Sequence, residues 1–312
     1  MKNLSINQTK LYGLDVFFNE IVNLFNKKKL PNQIIFSGQE GVGKSTLALH
    51  FINYILSSKE ENKYLINSKE INVKNRSYNL IKNGSHPNFY LVDLLDDKKN
   101  IEISQIRSMI NYTNKSSFSD NKKIILINNA ENLNINSLNS LLKVTEEPNE
   151  NLFFIFIHNN SKKIAKTLTS RCLVFKIYLS FDQSIIIANK IIQDNLFNLL
   201  NTEFINHYTT PGQYVNLINF AKNNHIDLKE YNLKDFLFFL IDNSYYKKNN
   251  FVKFNIYFFI ELYFLKLFNS KKNKKNFISF YSNFMKKINY VNKFNLDYES
   301  LFMEFKSKVL NE

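Results

Sequence analysis

One nine-residue stretch constrains this chain more than any other: Gly38-Gln39-Glu40-Gly41-Val42-Gly43-Lys44-Ser45-Thr46. It fits GxxxxGK[ST], the glycine-rich loop that wraps phosphate between a buried strand and a helix. Both flanks have that character: residues 33–37 (QIIFS) are a short apolar run, and residues 45–56 carry helical spacing. Glycines let successive backbone N–H groups turn inward, and the helix N-terminus adds partial positive charge. In such a loop Lys44 reaches the β- and γ-phosphates, and the Ser45 hydroxyl helps hold Mg²⁺. Gly38, Gly41, Gly43, Lys44, Ser45 and Thr46 are the candidate nucleotide-binding residues, with ATP and Mg²⁺ the expected ligands.

The rest of the first half repeats that alternation. Apolar runs at 88–92, 123–127, 152–157 and 173–177 read as further strands, and 104–114 and 135–145 as helices, while 57–76 is polar and lysine-rich and reads as irregular. Strands alternating with helical segments imply a parallel sheet covered by helices. After Tyr178 the strand pattern stops, and residues 182–200, 203–207, 213–223, 234–243, 252–268, 276–289 and 296–310 are all expected to be helical. The expected fold class is α/β followed by α. A five-stranded parallel domain over 1–178 precedes a small helical domain over 179–228 and a larger one over 229–312.

Composition narrows the function classes. At 44% hydrophobic and 15% aromatic, the 312 residues have ample material for packed cores, which excludes a disordered chain. Cys172 is the single cysteine, so neither a disulfide nor a cysteine zinc module can form within the chain. The aromatic run 251–268 is broken by Lys253, Glu261 and Lys266, and residues 1–9 are polar. Neither reads as a membrane span or a secretory signal, so a cytoplasmic protein with no membrane partner is expected. The charge is +14, from 41 basic against 27 acidic residues. Two readings of it stand: a surface for polyanions, or the drift of a chain dominated by Lys, Asn, Ile and Phe. Only Arg76, Arg107 and Arg171 are arginines, so an arginine at a motif position marks a need for a fixed planar fork. His50, His86, His158, His207 and His225 are scattered, without ligand spacing or a nucleophile partner, and read as structural.

Hydrolysis makes a further demand. A carboxylate at the end of a neighbouring strand holds the metal's water shell, and a second orients or deprotonates the attacking water. The strand at 123–127 is followed by Asn128-Asn129-Ala130-Glu131, with amides at both places. Mg²⁺ prefers charged oxygen ligands, and an amide accepts no proton at neutral pH. Glu131, two residues late, reaches only if the strand end is offset. The reading is a site that holds nucleotide and turns it over poorly or not at all.

Ser170-Arg171-Cys172 stands before the last strand, preceded by Leu141-Leu142-Lys143-Val144-Thr145-Glu146-Glu147-Pro148, the strand at 152–157, Asn159 and Thr167. With the phosphate loop, Leu30-Pro31-Asn32-Gln33, His86-Pro87-Asn88-Phe89 and Ile103-Ser104-Gln105-Ile106-Arg107, this order resembles the clamp-loader branch of the AAA+ ATPases. Within that branch it is most similar to the delta-prime subunits of bacterial DNA polymerase III, over about residues 11–177. The resemblance implies a clamp-loader subunit of DNA replication. Arg171 would be an arginine finger serving a neighbouring subunit's ATP site in trans, and Asn159 a sensor. The helical remainder would form a lid over 179–228 and a collar over 229–312.

The implied partners are the gamma/tau motor subunits and delta in a heteropentamer, the sliding clamp and primer–template DNA, in the bacterial cytoplasm at the nucleoid. The chain would belong to a DNA-directed DNA polymerase holoenzyme without being a polymerase. Departures from the motor pattern are Asn128 and Asn129, Thr209-Thr210-Pro211-Gly212 where motors carry a second-sensor arginine, and the missing four-cysteine zinc module. An active AAA+ ATPase, either a motor subunit or a branch-migration helicase, is the alternative. A scaffold with a vestigial loop is the third reading.

Overall fold

The structure, a computed structural model, describes residues 4–95, 98–114, 122–146, 151–270, 274–294 and 296–310. Glu147 and Pro148 of the pattern above, and 271–273 between the predicted helices at 252–268 and 276–289, lie outside the described residues. The chain divides into two compact units, one of Met1–Lys190 with Thr210–Gln213 and one of Ile191–Thr209 with Tyr214–Glu312.

The first unit opens with a short turn of helix, α1 (Leu4–Asn7), and α2 (Asp15–Asn26), which enter β1 (Gln33–Gly38). Then come α3 (Lys44–Leu56), α4 (Arg76–Lys82), β2 (Phe89–Val92), α5 (Ile103–Thr113) and β3 (Lys123–Ile127). Next are α6 (Ile135–Glu146), β4 (Leu152–Asn159), α7 (Lys166–Thr169), β5 (Leu173–Lys176) and α8 (Phe181–Ile192). The five strands form one parallel sheet in the order β2-β3-β4-β1-β5. The expected fold class is therefore the observed one, and the strand positions agree to within two residues.

Side chains alternate across a strand, so one sheet feeds two cores. Ile34, Phe36, Ile124, Leu126, Phe153 and Ile155 pack with Phe18, Leu47, Phe51 and Ile52 on one face. Ile35, Ile125, Ile127, Phe154 and Phe156 pack with Ile106, Met109, Leu141 and Leu168 on the other. A sheet buried on both faces explains why its strands read as unbroken apolar runs rather than alternating ones. The segment 57–75 has turns in place of regular elements, tied down by Leu11 N–H to Lys69 O and by bridges at Lys10 and Leu65 to Glu70.

The second unit is helical: α9 (Leu196–Leu199), α10 (Pro211–Asn223, whose first turn belongs to the first unit), α11 (Leu233–Asp242), α12 (Tyr245–Lys248), α13 (Asn250–Ser270), α14 (Lys274–Phe294) and α15 (Tyr298–Phe305). Its aromatic rows are core. Phe264 meets Phe280, Phe284 and Phe305, and Phe236 meets Phe204, Phe220 and Phe259 in edge-on contacts.

Two helical expectations need correction. The stretch 182–200 is broken, because Gln193 adopts φ of 62° and the Asn195 side chain accepts the Phe197 N–H, capping a new helix. The stretch 203–207 holds only the end of a single 3₁₀ turn, Thr202–Phe204. Asn201 starts that turn by accepting the Glu203 N–H.

Candidate nucleotide site

Parallel strands end on the same side, and the register decides what meets there. Gly38 pairs with Asn159, Val92 with Ile127, and Ile127 with Phe156. The phosphate loop after β1, Asn128 and Asn129 after β3, Asp93 after β2, and Asn159 closing β4 therefore share the carboxyl end of the sheet.

In the loop, Gly41 and Gly43 take φ of 84° and 95°, a region that side chains rarely adopt. Gly43 starts α3 with no side-chain cap, which leaves the first-turn N–H groups of Lys44, Ser45 and Thr46 open toward an anion. Lys44 is 3% exposed, and its Nζ donates to the carbonyls of Gly38 (2.9 Å) and Gln39. Burial pulls the Lys44 ammonium down from 10.5 to about 8, against the opposing pull of Glu40 and Glu131. A desolvated cation beside uncapped helical amides, in a loop whose glycines leave the backbone bare, is a donor set that fits a polyphosphate.

The start of α10 packs on this loop. Thr210 Oγ1 donates to Glu40 O (2.8 Å), and the Gly212 N–H donates to Gly41 O (2.9 Å). A Cβ on Gly212 would lie 2.8 Å from the Gly41 Cα, so no side chain fits at that position.

The strand ends form one connected network. Ser45 Oγ faces Asn128 Oδ1 at 3.4 Å. Asn128 Nδ2 donates to Asp93 Oδ2 (3.0 Å), and Asn129 Nδ2 donates to Asp93 Oδ1 (2.8 Å). Asn159 Nδ2 donates to Asn129 Oδ1 (2.8 Å). Glu131, in a 3₁₀ turn, accepts the Asn159 N–H (3.1 Å) and faces the Ser161 hydroxyl (3.4 Å). The offset strand end considered for Glu131 is thus replaced by a commitment of that carboxylate to β4. Asp93 was missed in the sequence, because its relevance depends on β2 pairing with β3.

Arg171 lies elsewhere. Leu173 pairs with Ile34 near the beginning of β1, whereas Gly38 ends that strand. Arg171 therefore stands beyond the opposite end of the sheet, roughly 20 Å from the loop at ~3.3 Å per residue. Its guanidinium pairs with Glu146 Oε1 (2.8 Å) and donates to Thr167 O (2.6 Å), with side chains 34% and 53% exposed for Arg171 and Glu146. Cys172 is half-buried, and burial pushes its thiol up to about 12. Among the described residues, no group of three or more His, Cys, Asp or Glu side chains is disposed to hold a metal, and no helix is long and apolar enough to cross a membrane.

Comparison with known proteins matches residues 14–180 to the family model described as DNA polymerase III, delta subunit. A DNA polymerase III subunit delta' of Bacillus subtilis is 28% identical over 152 residues, 49% of this chain and 44% of that protein. A DNA polymerase III subunit gamma of Buchnera aphidicola is 32% identical over 177 residues, 56% of this chain and 46% of that protein. The matched region spans about half the length of these curated relatives. Among solved structures, a DNA polymerase III gamma subunit-related protein of Thermotoga maritima aligns with TM-score 0.45 and 15% identity, covering 86% of this chain and 76% of that one.

Proposed function

The chain belongs to the DNA polymerase III delta subunit family, and from that premise we propose that it is a clamp-loader subunit that holds nucleotide, turns it over weakly or not at all, and lends Arg171 to a neighbour. The observation that carries this reading is the state of the strand ends. Lys44 and the first turn of α3 offer an anion site, while the positions that face it, Asn128 and Asn129, are amides bound to Asp93.

In this reading the loop N–H groups, Lys44 and Thr46 would hold the phosphates, and Ser45 with Asn128 Oδ1 would help hold the metal. Mg²⁺ bound there would supply charge neutralisation between phosphate oxygens. Asn159 spends a donor on Asn129, and Glu131 is drawn to the Asn159 backbone, which supports a site that activates water poorly. Losing a general base slows such a step by roughly 10²–10⁴-fold.

Arg171 stands too far along the sheet to serve its own loop, which supports an adjacent subunit's nucleotide as its target. The pair with Glu146 is partly exposed, and such pairs hold weakly, so a triphosphate competes well for the guanidinium. Assembly would run through the collar helices, where Leu265, Ile278, Tyr290, Phe294, Leu296 and Met303 are roughly half exposed. Residues 179–228 would act as the lid. The partners would be gamma/tau and delta, with the clamp and primed DNA engaged by the assembled ring.

Radiolabelled ATP tests the nucleotide half. The purified chain should bind it and release little or no phosphate above background. Rapid turnover would instead make this an active motor or helicase, and no binding would make the loop vestigial.

A further inference from the structure

The two amides after β3 and the acid after β2 form a single device. A carboxylate at neutral pH only accepts hydrogen bonds, so the amide groups facing Asp93 must present their Nδ2 atoms to it. Each such commitment fixes where the opposite oxygen points. With Nδ2 of Asn128 on Asp93 Oδ2, its Oδ1 is turned to the Ser45 hydroxyl. With Nδ2 of Asn129 on Asp93 Oδ1, its Oδ1 receives Asn159 Nδ2. Asp93 is itself held: its Oδ1 accepts the Leu94 N–H (2.8 Å), and its carbonyl accepts Gln105 Nε2 from α5 (2.8 Å). Gln105 is fixed in turn by the Glu102 N–H donating to its Oε1 (3.0 Å).

We infer that Asp93 is the positioning carboxylate of the nucleotide site, orienting Asn128 so that a neutral oxygen rather than an N–H faces the metal position beside Ser45. This deepens the nucleotide-binding reading and rests on it for its Mg²⁺ consequences. The dependence is mutual, because an acid at 128 or 129 would meet the Asp93 carboxylate at the ~3 Å separation of these hydrogen bonds, where two carboxylates cannot both ionise freely. Asn129 also sits at φ of 53°, a left-handed position that asparagine tolerates better than most side chains.

The test uses the full chain in two measurements. A fluorescent ATP analogue is titrated with Mg²⁺ or with EDTA. Asp93→Asn, which lets Asn128 flip, should reduce the Mg²⁺ enhancement of affinity about tenfold, the size of one charge-assisted hydrogen bond. The affinity in EDTA should not fall, since no metal then needs the Asn128 oxygen. Thermal melting without nucleotide gives the second readout. Asn128→Asp and Asp93→Asn should each lower the midpoint, and the charge-swapped double variant should regain most of both losses. An unchanged Mg²⁺ enhancement, an equal loss in EDTA, or additive melting losses would overturn the assignment. A wild-type chain that binds no analogue at any Mg²⁺ concentration would overturn the nucleotide reading and the Mg²⁺ consequence together. The charge swap would then decide alone whether Asp93 orients the amides.

Discussion

Lys44 shows how one residue couples the loop to pH. Its ammonium is buried against the Gly38 and Gln39 carbonyls and titrates at about 8 rather than 10.5. Below that value the free loop presents a cation to phosphate, and above it a neutral amine. Bound phosphate restores the charge, so nucleotide binding takes up a proton at alkaline pH. Affinity should fall as pH rises through about 8, by up to tenfold per unit. Equilibrium titrations at pH 7 and pH 9 check this, with Lys44→Gln expected to be weak and flat across the range. A flat profile in the wild-type chain would mean that Lys44 does not carry the anion. The loop residues were legible in the sequence because their spacing is local. Asn128 and Asn129 were legible as absent acids, but their partner was not. Asp93 lies 35 residues from Asn128, and only strand pairing brings them together.

At the scale of elements, α3 is anchored by a buried histidine that plays no part in chemistry. His50 Nε2 donates to Gln8 O (3.0 Å), so Nδ1 carries no proton and accepts from the Tyr64 hydroxyl (2.9 Å). Burial pushes the imidazole down from 6.5 to about 4. Between those values the unfolded chain binds a proton that the folded chain refuses, so stability present above pH 6.5 is lost as pH falls through about 4. The loss amounts to about 3 kcal/mol. Urea denaturation at pH 7 and pH 4.5 measures it, and His50→Asn should flatten that dependence at the cost of lower stability at neutral pH. An unchanged slope in the variant would assign the acid sensitivity elsewhere. Helical spacing located most of the elements, because an apolar face repeats whatever the partner. The break inside 182–200 escaped because Gln193 and Asn195 set it by backbone conformation and capping, and neither interrupts the apolar period.

For the whole molecule, the parallel sheet has two ends that gather different residues. Its carboxyl end gathers the phosphate loop, the amides and Asp93, while Arg171 stands beyond the start of β5 with Glu146. One chain thus carries the phosphate loop at one end of the sheet and an arginine at the other, the arrangement that the proposed ring would use if each site were completed by its neighbour. The motif around Arg171 was readable in sequence, but its separation from the chain's own loop required the register of β1 and β5. The most direct test of the proposed clamp-loader role combines the chain with gamma/tau and delta subunits and compares wild type with Arg171→Ala in DNA-stimulated ATPase and clamp loading. The ring should still assemble, and turnover at the adjacent site should fall by ~10³-fold or more, the contribution of an arginine supplied in trans. Full ATPase and clamp loading in the Arg171→Ala assembly would contradict the account.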